Sequence, residues 1–371
     1  MCINNDMKTI FLSGDCYQPL GPANISTSLR NIDLLGTIGI IEPGCDRDII
    51  HGINYSLINE VDIILVLRCD HAFDLFGRFD TTDFTNTEII ETFGNFGKPV
   101  LFVTHDVSID YGFPTLYYPI YTTITYKFTC SFKMPVPTVP RKYMFSCISN
   151  KPKYFRIANY ILFTKSTYYN ASLLTLGICD KEIADMGSLL HLFEPSYTDI
   201  YLNEISPILP IKSTDIKYFR STHNDPSVPD DGDELNVMAY DNSAFFDSYV
   251  NVVTETNYDV PFISEKIIKP LLACQFFVVV AGKHTINLLR ELGFDTYDDI
   301  IDHDMYDNSE DTDRIFDVHK LLNIIQWHNW IEIYNNTVER RQANRELIVS
   351  LHHETDFINK IEQHIRNYYG I

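Results

Sequence analysis

Residues 249–282 read YVNVVTETNYDVPFISEKIIKPLLACQFFVVVAG, and the order of patterns in them decides the fold. An apolar run at Tyr249–Thr254 passes through a polar turn into a short amphipathic pattern, and a second apolar run ends at Gly282. Strand, helix and strand in such close succession predict a βαβ unit with parallel strands. Both runs are continuous rather than alternating, as in strands buried on both faces. The charges left among them are Glu255, Glu265, Lys266 and Lys269. Glu255 directly follows the first run, at the carboxyl end of a strand, where open parallel sheets bind ligands. Ser264 is placed to cap the helix, so Glu265 and Lys266 fall in its first turn and Lys269 one turn on, with Pro270 expected to kink or weaken it. A cation near a helix start opposes the macrodipole by about 0.3–1 kcal/mol. Two lysines there make sense beside an anion, and a diphosphate suits both helix N–H groups and ammonium groups. Glu255 or Glu265 is then placed to accept bonds from ribose hydroxyls. The plainer reading of the same residues is a capped surface helix with solvated lysines.

The alternation continues outward from this unit. In the first half, KTIFLSGD, GTIGII, VDIILVLRCD and KPVLFVTHD read as buried strands, with helical spacing in NISTSLRNIDLL and TNTEIIETFGNF between them. That order predicts a parallel sheet covered on both faces. From Tyr111 the pattern degrades into an aromatic and proline-rich stretch, whose end KMPVPTVPR marks a domain boundary. A second series begins at KYMFSCISN, runs through PKYFRIANYILFTK and SLLTLGIC, and resumes at YVNVVTE and FFVVVAG. Ser221–Asp241 reads as a polar, turn-rich loop, and Thr337–Tyr369 as one or two closing helices. The fold class is therefore α/β, with an N-terminal domain over 1–135, a second domain over 136–345, and a C-terminal helix over 346–371 packed on them.

The length of 371 residues suits two domains, and 45% hydrophobic with 21% charged residues is a globular composition. Fifty acidic against 29 basic residues give a net charge of −21, which repels phosphate backbones and anionic lipid at long range and disfavours nucleic acid as a partner. A local basic cleft remains able to hold a small anion. The eight cysteines are scattered without a CxxC pair, which suits buried thiols better than disulfides or a zinc site. The start of the chain lacks the apolar core of a signal peptide, and no run reaches a membrane span of about 18 apolar residues. The expectation is a soluble, cytoplasmic protein.

The block VTETNYDVPFISEKIIKPLLACQFFVVVAG with LLRELGFDTYDDIID resembles the nucleotide-sugar half of glycosyltransferases related to the α-1,3-fucosyltransferases and to similar enzymes of phages and large viruses. Their pattern is a glutamate after a strand, an aromatic residue, T/S-E-K, a helix, and an apolar strand ending in glycine. Upstream, YMFSCISNKPKYFRIANYILF is similar to the first strand and helix of that domain, where an arginine reaches the diphosphate; the matching residue is Arg156. The likeness covers about Lys142 to Asp302, with 180–247 poorly matched. It departs where the fucosyltransferases place asparagine directly after the first glutamate, since Thr256 intervenes before Asn257. The resemblance implies GT-B architecture, two Rossmann-like domains facing across a cleft, with donor-binding residues Arg156, Glu255, Glu265, Lys266 and Lys269. It implies a nucleotide-diphosphate sugar as co-substrate, no other cofactor and no metal. The acceptor is a hydroxyl of a glycan, a protein or, for a phage enzyme, a modified DNA base; a viral enzyme would work in the host cytoplasm.

In the first half, SGDCYQPLGPANISTSLRN resembles the acceptor-side loop of many GT-B enzymes, its helix starting near Pro22. Strand ends there carry Asp15, Asp70 with His71, and His105 with Asp106. Inverting transfer needs one base within reach of the acceptor hydroxyl, and His105 with Asp106 is the first choice, ahead of Asp15 and Asp70. Three acidic triplets, Asp231/Asp233, Asp302/Asp304 and Asp311/Asp313, have the spacing of a metal-binding DxD. None follows a long apolar strand, and solvated loops account for them. A transferase-like binding module without activity is the alternative function. A dinucleotide oxidoreductase is disfavoured, because no GxGxxG follows a predicted strand.

Overall fold

The computed structural model describes residues 8–11, 37–41, 54–68, 91–104, 112–117, 140–149, 153–177, 189–211, 243–255, 258–351 and 354–369. The chain divides into two compact units, Met1–Ile124 with Ser350–Ile371, and Thr125–Val349. The break falls ahead of the proline-rich KMPVPTVPR, and the end of the chain groups with the first unit.

The first unit holds a five-stranded parallel sheet, β1 (Lys8–Phe11), β2 (Thr37–Ile41), β3 (Ile63–Arg68), β4 (Val100–Thr104) and β5 (Thr115–Tyr117), in chain order. β5 lies in the aromatic stretch where the sequence shows no strand pattern. On β3 and β4 neighbouring side chains are buried alike: Ile64, Val66, Val100 and Phe102 join Phe93 in one cluster, while Ile63, Leu65, Leu101 and Val103 are buried on the opposite face. Both faces of these strands are thus covered, as the continuous apolar runs require. Because the described order never reverses, the sheet has no switch point among the described strands. The closing tail forms two helices, Val338–Leu351 and Glu354–Tyr369. Ile361 and Ile365 of the second are fully buried.

The second unit holds a four-stranded parallel sheet of β6 (Tyr143–Ser149), β7 (Ser172–Leu176), β8 (Ser248–Thr254) and β9 (Phe276–Val280), in the order β7-β6-β8-β9. From β6 the chain moves outward to β7 and then returns to the other side of β6 for β8. The strand order therefore reverses between β6 and β8, which creates a crevice at their carboxyl ends. Every residue of β8 and β9 is buried.

The helices that matter for the site are α1 (Tyr154–Thr164), which follows β6; α2 (Glu265–Leu272), between β8 and β9; α3 (Thr285–Glu291), after β9; α4 (Asp311–Ile325); α5 (Trp330–Asn336); and α6 (Val338–Leu351). α2 ends in a Schellman motif: Cys274 N–H donates to Leu271 O at 3.1 Å, Gln275 N–H donates to Pro270 O at 2.9 Å, and Cys274 has φ +52°. Gly293, at φ +90°, ends α3 in the same way, with Phe294 N–H on Leu289 O. Gly282 is required for a different reason. A Cβ there would overlap the backbone of Val260, so the end of β9 and the loop after β8 touch main chain to main chain.

No helix among the described residues is long and apolar enough to cross a membrane.

Candidate functional site

The switch point is built by four elements: the ends of β6 and β8 and the first turns of α1 and α2. Ser149 closes β6 and Thr254 closes β8, and their hydroxyls are 3.0 Å apart. Arg156, in the first turn of α1, is 5% exposed and donates through Nη2 to the carbonyls of Thr254 (3.3 Å) and Glu255 (2.8 Å). Its cation is thereby held against the end of β8.

Glu255 is fully buried. Its Oε1 accepts the Ser264 N–H at 3.0 Å and its Oε2 accepts the Ser264 hydroxyl at 2.5 Å. Ser264 caps α2, its Oγ accepting from Lys266 N–H at 3.2 Å, and Lys266 Nζ approaches the same oxygen at 3.3 Å. A connected chain, Arg156–Glu255–Ser264–Lys266, therefore runs across the crevice from the start of α1 to the start of α2. Both helix starts direct their N-terminal N–H groups and positive dipole ends to the carboxyl side of the sheet.

The loop between β8 and α2 is fastened from outside the motif. Arg314 on α4, 1% exposed, donates through Nη1 to the carbonyls of Tyr258 (3.0 Å) and Ala281 (2.8 Å), and through Nη2 to Ser309 O and the Asp311 carboxylate. Tyr258 stacks on Phe155 at 5.0 Å, and its hydroxyl donates to Asp311 O at 2.6 Å. Burial raises the Tyr258 phenol well above its ordinary range, with Arg314 acting against the rise.

A second polar chain lies behind the strand ends. Asn159 on α1 donates to Cys147 Sγ at 3.3 Å and accepts at Oδ1 from His319 Nε2 at 2.9 Å; His319 Nδ1 then accepts from the Tyr168 hydroxyl at 2.6 Å. This arrangement fixes the Nε2–H tautomer. Burial pushes His319 down to about 3 and the Cys147 thiol up to about 12, so both are neutral near pH 7. The chain orients the base of the crevice and carries no charge into it.

Measured against the expectations from sequence, Ser264 is the cap of α2, and Arg156, Glu255 and Lys266 come together. Two roles change. Glu255 is sealed, and both its oxygens accept from Ser264, so it anchors the loop between β8 and α2. Lys269 lies in the last turn of the eight-residue α2, where a cation is favoured by the macrodipole; the strain argued for it from sequence does not exist. Glu265 opens α2, but its side chain lies outside the described residues, as do Asp15, Asp70, His105 and Asp106 and the triplet Asp231/Asp233. In the other triplets, Asp304 pairs with Arg290 at 3.0 Å and Asp311 with Arg314 at 2.7 Å. Among the described residues no group of three acids, histidines or cysteines is placed to hold a metal.

Sequence reading missed Ser149, Thr254, Asn159, His319 and Arg314. The first two were legible as polar residues at the ends of apolar runs. Arg314 was not, because it sits in the acidic stretch SEDTDRIFD, over fifty residues from Tyr258. Compared with family models, curated proteins and solved structures, the chain gives no match.

Proposed function

We propose that the second unit binds the nucleoside diphosphate of a sugar donor at the β6–β8 switch point, and that the protein is a metal-independent glycosyltransferase of GT-B type acting on an acceptor hydroxyl. The observation that carries this reading is the convergence of two helix starts and two cations, Arg156 and Lys266, on one strand-end crevice. Helix N–H groups and fixed cations are what a diphosphate needs. Lys266 is the cation at the α2 start, half-buried and next to the capped turn. Arg156 is held in place by the β8 carbonyls. The role of Glu255 is to fix the α2 start relative to β8, so that the N–H groups and Lys266 present a preformed surface.

In this reading the protein brings two things to the reaction: neutralisation of the departing diphosphate by Lys266, Arg156 and the helix starts, and a base on the acceptor side that takes the hydroxyl proton. His105 and Asp106, then Asp15 and Asp70, are assigned that second part on the sequence reading alone.

A panel of nucleotide sugars is the test, read by melting temperature and by release of nucleoside diphosphate, with and without EDTA. One donor should raise the melting temperature of the wild type and be turned over in EDTA. Binding without turnover on any acceptor would favour the inactive binding module. Turnover abolished by EDTA and restored by Mn²⁺ would overturn the metal-independent mechanism.

A further inference from the structure

At the opposite, amino end of the second sheet, three arginines gather where the described residues supply no carboxylate in ion-pair reach. Arg141, just before β6, is 7% exposed. Its Nη1 donates to the carbonyls of Phe245 (3.0 Å) and Ser248 (2.7 Å), while its buried Nε and Nη2 meet no acceptor among the described residues. Those two nitrogens form one edge of the guanidinium, the parallel pair of donors that grips a carboxylate or phosphate through two bonds.

Arg341 on α6 is 3% exposed and donates to Cys274 O at 2.8 Å and to Tyr334 O at 2.5 Å, carbonyls rather than anions. Both guanidinium groups lie over the ring of Tyr334, at 4.3 Å for Arg141 and 3.7 Å for Arg341. Arg345 stands one helical turn beyond Arg341 and, like it, acts on the Cys274 thiol. Asp247 attracts Arg141 but forms no ion pair with it. Burial first, and repulsion from Arg341 as well, work against the charge of Arg141.

A buried guanidinium with an unused donor edge is costly, since each buried donor left without an acceptor forfeits its desolvation energy. An anion that completes the edge would remove that cost. Acids outnumber bases by 50 to 29 in this chain, so three arginines without a matched carboxylate among the described residues are a local inversion of its charge.

We propose that Arg141, Arg341 and Arg345 form an oxyanion site at the amino end of the second sheet, which takes one phosphate or carboxylate group on the Nε–Nη2 edge of Arg141. It shares no residue with the proposed donor site. Its occupant ties β6, the β8 start and α6 together through one anion, so the stability of the second unit depends on that anion.

The test uses the whole protein, with melting temperature measured in phosphate, acetate and chloride at matched ionic strength. Wild type should melt higher in phosphate or acetate than in chloride, and which of the two acts assigns the oxyanion. Arg345→Gln, at a half-buried position, should lose at least half of that rise. Arg141→Lys should lose nearly all of it, because an ammonium cannot offer two parallel donors. Lys266→Ala should keep it in full, which separates this site from the crevice at the carboxyl end. A rise of equal size in wild type and both arginine variants would be a general salt effect and would overturn the proposal, as would no rise at all. Should Arg141→Lys fail to fold, Arg345→Gln decides alone.

Discussion

The carboxylate of Glu255 and residue Ser264 meet twice, through the serine N–H and through its hydroxyl, deep in the second unit. The end of β8 and the start of α2 are thereby joined by a group that no solvent reaches. Ser264→Ala removes both the helix cap and one bond to a buried charge, and should destabilise by ~1–3 kcal/mol. Glu255→Ala should cost more than Glu255→Gln, because the amide keeps the volume and an acceptor for the Ser264 N–H. Urea denaturation orders the three; equal losses for Gln and Ala would show that the carboxylate shape is unimportant.

The two lysines of α2 should now respond with different signs and in different assays. Lys269 lies in the last turn, so Lys269→Ala should lose a few tenths of a kcal/mol of stability and leave nucleotide binding intact. Lys266→Ala, at the first turn, should be neutral or slightly stabilising without ligand. If the crevice binds a nucleoside diphosphate as proposed, it should also weaken that stabilisation, expected at ~2.7 kcal/mol for wild type at a hundredfold over Kd. Equal ligand shifts in wild type and Lys266→Ala would remove the crevice from consideration.

Two buried histidines set an acid limit. His303 is held down to about 4 by burial, with Nε2 donating to Thr296 O and Nδ1 facing the Tyr306 hydroxyl, and His319 is held down to about 3. Both folded values lie below the ordinary 6.5, so the unfolded chain binds more protons at intermediate pH. Their contribution is complete above pH ~6.5 and is lost as pH falls towards 4 and 3, roughly a few kcal/mol per group. Unfolding free energies at pH 7, 5.5 and 4.5 should fall, and fall less steeply in His319→Gln, which is itself less stable at pH 7. Parallel curves for the two proteins would mean that His319 is not buried in its neutral form.

Gly282→Ala should be among the most damaging small substitutions in the second unit. The added methyl would lie on the Val260 backbone, and backbone cannot yield as a flexible side chain does. A loss of ~2–4 kcal/mol is expected, and any ligand response at the crevice should fall with it, because the β8–α2 loop must shift. A change within ±0.5 kcal/mol would show that the two main chains do not touch.

Much of this molecule was written along the chain. The continuous apolar runs marked all the strands of the second sheet, since a strand buried on both faces can admit few polar residues. Ser264 announced the start of α2, because a hydroxyl before an amphipathic run satisfies helix N–H groups locally. These are local signals, set by the residue and its near neighbours.

Only the tertiary structure decided what the charges do. Sequence places Glu255 at a strand end, but its burial and its engagement with Ser264 depend on how α2 lies over the sheet. Lys269 changes its meaning because α2 stops after two turns, which Pro270 and the left-handed Cys274 bring about together. The strand order that makes the crevice, and the reach of Arg314 to Tyr258 and of Arg141 to Ser248, join residues far apart in the chain. Such contacts leave no periodic trace in the sequence, because each depends on the path of the backbone between its two ends.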